Sequence, residues 1–332
     1  MRIQPAWFDA LFILRPTLFF PAWTAFLAGY RFRDAFTPDL IPYLLWLAGA
    51  TGAAFLLNQL VDRREDSLNR KLLPLWDGLV SGRFVGVELG VLGLVTILGG
   101  IWAGWEQSAL LTLFFIISGF LYNVPPFRLK SRPILGIAAC SAGGSILFVM
   151  GARMAGFDYG AAFLLSLPYV FAGAAASLLT HVPDIKGDRQ SGAATFASKY
   201  GVRATAWLAL FMVLAAFLSS LWLRDFVMLF AALVALPLFI RFCLKLNMEA
   251  AQTAVKTAIF GLAVAVGTTW APFLAMIALY YPLARWYHRE RLGLDYPSFG
   301  SAAKHPVAPA IASPFSEGRI VLGDKVRGSS PL

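Results

Sequence analysis

Runs of about twenty apolar residues recur along this chain, each long enough to cross the ~30 Å hydrocarbon core of a bilayer as a helix. A chain built this way has few choices. In lipid every backbone N–H and C=O must be satisfied by the protein itself, so only helices and closed barrels cross. The runs are continuously apolar and do not alternate every second residue, which argues against a barrel. Nine spans are expected, at about 11–30, 40–60, 84–104, 107–122, 134–154, 161–181, 203–223, 226–244 and 257–283. The first contains Pro16 and Pro21 and continues to Tyr30, so it reads as a span and not as a cleaved signal peptide. Composition agrees with these spans: 58% of the 332 residues are hydrophobic and 14% are charged. Soluble domains run at roughly 45–50% and 25%. A soluble enzyme, a disordered protein and a conventional nucleic-acid binder are excluded. The expected fold is an all-α polytopic membrane protein, with about nine transmembrane helices around a central cavity, over residues 1–287. Residues 288–332 are rich in Pro, Gly and Ser without apolar periodicity and are expected to form a disordered tail.

The net charge of +10 is distributed like that of a membrane protein, between the spans. Arg63, Arg64, Arg70, Lys71 and Arg83 follow the second span, Arg128, Lys130 and Arg132 the fourth, and Lys186, Arg189, Lys199 and Arg203 the sixth. Arg241, Lys245 and Lys256 follow the eighth, whereas the opposite loops hold only Arg31, Arg33, Arg153 and Arg224. This bias puts the N-terminus and the basic loops in the cytoplasm. Nine spans then leave the basic residues Arg285, Arg289 and Arg291 on the other side, against the rule. Cys140 and Cys243 fall inside spans and read as small core residues. His181, His288 and His305 share no metal-binding spacing.

Two of the cytoplasmic loops also carry carboxylates. After the second span comes Asn58-Gln-Leu-Val-Asp62-Arg63-Arg-Glu-Asp66, and after the sixth His181-Val-Pro-Asp184-Ile-Lys-Gly-Asp188-Arg189. Acids four apart stack on one helix face at about 6 Å and repel unless a cation lies between them. The second pair repeats the first 122 residues later, four spans on each time, which points to an internally duplicated bundle with two acidic clusters meeting across a cavity. Facing clusters of oxygen ligands suit Mg²⁺, which fills its remaining positions with water and substrate phosphate. The flanking cations suit a diphosphate. A third loop, Tyr122-Asn-Val-Pro-Pro126-Phe-Arg128-Leu-Lys130-Ser-Arg132-Pro133, reads as a stiffened extended segment with Arg128 and Lys130 on one side. Asp34, Glu65, Asp77 and Glu106 read as solvated surface. Arg15 lies inside the first span, where a charge is costly. It either serves the site or pairs with Asp9.

Asn58-x-x-x-Asp62-x-x-x-Asp66 with Asn69 and Gly78 resembles the first aspartate motif of the UbiA superfamily of intramembrane prenyltransferases. Asp184-x-x-x-Asp188 with Gly192, Thr195 and Gly201 resembles the second, and the segment from Tyr122 to Gly136 is similar to the conserved stretch between them. The run from Asp184 to Ala197 and the Asn58-Gln59 pair resemble the homogentisate prenyltransferase branch. The segment from Asn69 to Leu75 departs from the superfamily's usual pattern. The resemblance implies Mg²⁺ on Asn58, Asp62, Asp66, Asp184 and Asp188, with Lys130 joining the aspartates in catalysis. Around the substrates it implies Arg63, Tyr122, Arg128 and Arg189, with Arg15 as a further candidate. The implied reaction is prenyl transfer from an isoprenyl diphosphate to a hydrophobic, aromatic or quinone-precursor acceptor within the bilayer. A glycerol-phosphate lipid or a tetrapyrrole is the alternative acceptor. The rival from another class, an ion-coupled transporter, would carry its acids near the bilayer midplane in broken helices. Here they stand at span ends among cations.

Overall fold

The computed structural model describes residues 6–33, 36–37, 39–62 and 80–297. Within them every regular element is helical. The chain runs through α1 (Ala6–Ile13), a 3₁₀ turn (Pro16–Leu18), α2 (Phe19–Tyr30), α3 (Leu40–Val61) and α4 (Gly82–Ala103). Next come α5 (Trp105–Phe114), which continues as a π-helical stretch to Leu121, then α6 (Pro133–Met154), α7 (Tyr159–Thr180) and the short α8 (Ile185–Ser191). The last four are α9 (Phe196–Leu223), α10 (Phe226–Lys245), α11 (Met248–Gly267) and α12 (Ala271–Leu292).

Side-chain caps set many of the helix starts. Ser81, Asp158, Thr195, Asp225 and Asn247 precede α4, α7, α9, α10 and α11, and each accepts the backbone N–H three residues on. Among the described residues, seven helices are long and apolar enough to cross a membrane. The outward faces need lipid: on α4, Val87, Ile97 and Ile101 are 67%, 65% and 77% exposed.

Three expected spans change on folding. The span at 11–30 is broken at Leu14–Leu18, between α1 and α2, where Arg15 is left-handed and Pro16 opens the 3₁₀ turn. The span at 203–223 belongs to α9, which starts at Phe196 and breaks at Gly201, whose φ of 84° suits glycine. The span at 257–283 is two helices, parted at Thr268–Trp270, because Pro272 opens a new first turn. That break reverses the chain once more. The end of α12 returns to α1, where Asp9 accepts from Arg291 at 2.6 Å and from the Tyr287 hydroxyl at 2.8 Å. The basic end of α12 therefore lies with the N-terminal helix, which removes the charge conflict of a nine-span count. The tail expected over 288–332 is corrected at its start, because helix continues to Leu292; residues 298–332 lie outside the described residues.

Helix α2 meets α6 backbone to backbone. A Cβ on Gly29 would stand 2.0 Å from the Phe148 carbonyl oxygen, and one on Gly151 2.0 Å from that of Phe26. Small residues allow such approach where lipid offers helices no hydrophobic drive to associate. Among the described residues, nine helices (α2, α3 and α5 to α11) line a central cavity of about 610 Å³.

Candidate active site at the polar end of the cavity

Asp62 caps the C-terminus of α3, its N–H donating to the Asn58 carbonyl at 2.9 Å. The Asn58 amide donates to Asp62 Oδ2 and to Asn123 Oδ1, both at 2.7 Å. Asp62 Oδ1 accepts from Lys130 Nζ and, at 3.3 Å, from Arg128. Lys130 also donates to Asn123 Oδ1 at 3.3 Å. Asn123 is 2% exposed and donates back to the Gly119 carbonyl at 2.8 Å. It joins α3 to the basic loop, a role the sequence reading missed; its signal was an amide closing an apolar run.

The basic loop is not extended as expected. Arg128 has left-handed backbone (φ 37°, ψ 56°) and Leu129–Ser131 form a 3₁₀ turn. This tight path, unfavourable for a residue with a Cβ, turns both cations onto one carboxylate.

The second cluster follows α7. Asp188 donates its N–H to the Asp184 carbonyl at 2.8 Å, so the two acids lie one turn apart. The buried Asp188 carboxylate accepts from Thr195 Oγ1 at 2.8 Å, and Thr195 in turn caps α9. One side chain thus fixes an acid and starts a helix.

Both clusters line the same cavity: Asn58, Asp62, Tyr122, Arg128, Lys130, Asp184 and Asp188 all face it. Arg15 lines it too, from left-handed backbone at φ 56° and ψ 60°. The alternative pairing of Arg15 with Asp9 is not formed, because Asp9 is taken by Arg291. Arg189 is exposed, donates to the Ser198 carbonyl at 3.1 Å and stands outside the cavity lining. Asp66 and Arg63 lie outside the described residues, as do Asp34, Glu65 and Asp77. Glu106, expected to be solvated, pairs with Arg153. Cys140, expected in the core, lines the cavity with His181, while Cys243 packs among core side chains as expected.

The donor set is hard oxygen and fits Mg²⁺, although no three His, Cys, Asp or Glu side chains among the described residues converge as a ready cage. Away from this polar end, Ala25, Ala54, Phe114, Leu147 and Val213 make the walls apolar. The site joins a place for a polyanion to a slot for hydrocarbon.

This is the architecture of an intramembrane transferase family, and comparison with known proteins identifies it. The profile of the UbiA prenyltransferase family matches residues 17–260, and the chain belongs to that family. It is an integral, multi-pass membrane protein. It is 30% identical over 230 residues to a 2-acylphloroglucinol 4-prenyltransferase of Humulus lupulus, covering 61% of this chain and 54% of the relative. A digeranylgeranylglyceryl phosphate synthase of Methanothermobacter thermautotrophicus is 29% identical, with 52% and 59% covered. The homogentisate phytyltransferase of Synechocystis is 31% identical, with 44% and 50% covered. The chain spans about half the length of the curated relatives it matches. The fold matches a UbiA homolog from Archaeoglobus fulgidus, solved with GPP and Mg²⁺, at a TM-score of 0.64 and 17% identity over 79% of this chain and 98% of that one.

Proposed function

We propose that this protein transfers an isoprenyl chain from a prenyl diphosphate to a hydrophobic aromatic acceptor held in the membrane. One observation carries the reading: two aspartate-bearing helix ends and a basic loop line one end of a cavity whose other walls are apolar. Lys130 and Arg128, which pair with Asp62, are the cations that would grip the diphosphate oxygens. Asn58, Asp62, Asp184 and Asp188 would hold Mg²⁺, which supplies positive charge against the leaving diphosphate. As the allylic C–O bond breaks, its electron pair leaves with the diphosphate. The acceptor then forms the new bond to the allylic carbon and loses a proton. The faces of Phe55, Phe114 and Tyr122 line the cavity and would stabilise the cation, and the apolar walls keep water from quenching it. The Lys and Arg bias of the loops supports a cytoplasmic polar end.

The test supplies purified protein with a panel of prenyl diphosphates and aromatic acceptors and reads products by mass spectrometry. Prenylated acceptor should appear and vanish in excess chelator. Turnover undiminished by chelator would remove the metal. Solute flux in liposomes without product would favour the transporter.

A further inference from the structure

Far from the aspartates, the cavity-lining Tyr169 is held by a buried polar clamp. Arg31, the C-cap of α2, pairs with Asp225, the N-cap of α10, at 2.7 Å, with side chains 6% and 3% exposed. Between them stands Tyr169 of α7, whose hydroxyl donates to Asp225 Oδ2 at 2.8 Å and accepts from Arg31 at 2.9 Å. Its ring packs on Phe148 at 4.7 Å and faces the cavity beside Met228, in the first turn of α10. A ring held on its face and at its hydroxyl from two helices cannot swing aside. Nearer the aspartates the bore is walled by Ala172, Ala176, Ala216, Ala232 and Ala235, which leave room for a chain. Bore and stopper share α7 and α10.

We infer that Tyr169, with Met228, is the floor against which the donor's hydrocarbon end stops, so that the site takes chains of three to four isoprene units and rejects longer ones. The inference rests on the transferase reading above. Tyr169 and Thr180 both line the cavity, and the intervening turns of α7 rise about 16 Å at ~1.5 Å per residue. Three extended backbone bonds of a peptide span ~3.3–3.6 Å, so the four main-chain bonds of an isoprene unit span about 4.5 Å. Farnesyl and geranylgeranyl chains fill that length. A geranyl chain leaves it half empty, and a nine-unit chain is more than twice as long.

The experiment compares turnover of geranyl, farnesyl, geranylgeranyl and solanesyl diphosphates by the wild-type protein and three variants, each checked for a monodisperse peak in detergent. Wild type should prefer farnesyl or geranylgeranyl and reject solanesyl by about tenfold or more, the scale of a chain misfit in an apolar pocket. Ala231 also lines the cavity, one turn of α10 beyond Met228, so Ala231→Phe would plug the bore above the floor and should shift the preference toward geranyl. Tyr169→Leu and Met228→Ala, which deepen it by different routes, should shift it toward longer donors. If one deepening variant fails to fold, the other decides. Solanesyl turnover equal to geranylgeranyl in the wild type, or profiles unmoved in the folded variants, would overturn the floor and leave the transferase reading standing. Absence of transfer from every donor would overturn both.

Discussion

At the scale of single residues the polar end of the cavity is one hydrogen-bonded network. Asp62 is nearly buried, and Lys130, Arg128 and Asn58 satisfy its oxygens. A diphosphate would compete for the same cations. Lys130→Ala should therefore weaken donor binding by roughly tenfold to a hundredfold, the worth of a charge-assisted hydrogen bond. Arg128 remains on Asp62 in that variant, so its melting temperature in detergent should barely move. Unchanged donor affinity would give the loop a topological role only. The two acid clusters make a sharper prediction. Asp62→Asn and Asp184→Asn should each abolish most transfer, and the double variant should be scarcely worse than either, as expected of groups acting as a unit. Near wild-type turnover in either folded single variant would break the two-cluster site. Asp62 and Asp184 could be picked out of the sequence by their spacing. Asn123 could not be given its part, because its two partners come from α3 and from the basic loop.

The helices themselves were largely legible. A span is a run of side chains that lipid accepts, and it appears in sequence wherever it occurs. What blurred were its ends. Residues 257–283 read as one span because Thr268, Thr269 and Trp270 interrupt the backbone without lowering hydropathy much, and only Pro272 signals a restart. Packing at this scale depends on pairs such as Gly29 and Gly151, which close the contact between α2 and α6. Neither glycine could be assigned that contact from its neighbours in sequence. Replacing Gly29 with Ala would drive a methyl group into the Phe148 carbonyl, so the helices must part. The loss expected is about 1–3 kcal/mol, read as a lowered melting temperature, whereas Ala at Gly86, where a Cβ meets nothing within 4 Å, should be tolerated.

Across the whole molecule, the ends of the described chain are tied together. Asp9 is 5% exposed and binds Arg291 and Tyr287, so α1 and α12 close beside each other. Arg291→Ala would leave that carboxylate with the tyrosine alone, a loss of about 3 kcal/mol, the low end for a buried acid deprived of its cation because Arg291 is partly exposed. Thermal unfolding in detergent should register it, and an unchanged midpoint would make the pair incidental. The same closure explains why a nine-span count set the basic residues of α12 against the charge bias. The sequence by itself determined the solvent this protein lives in, its helical make-up and the loops that bear acids and cations, because hydropathy and local spacing are properties of short segments. The acid spacing already pointed to two clusters meeting across a cavity; tertiary structure alone decided that Lys130 and Arg128 converge on Asp62, that Asp9 takes Arg291 and leaves Arg15 to the cavity wall, and that Tyr169 stands clamped at its far end. The reason lies in the membrane. The lipid-facing and protein-facing sides of a span are about equally apolar, so periodicity carries little record of which face packs inward, and only the assembled bundle supplies it.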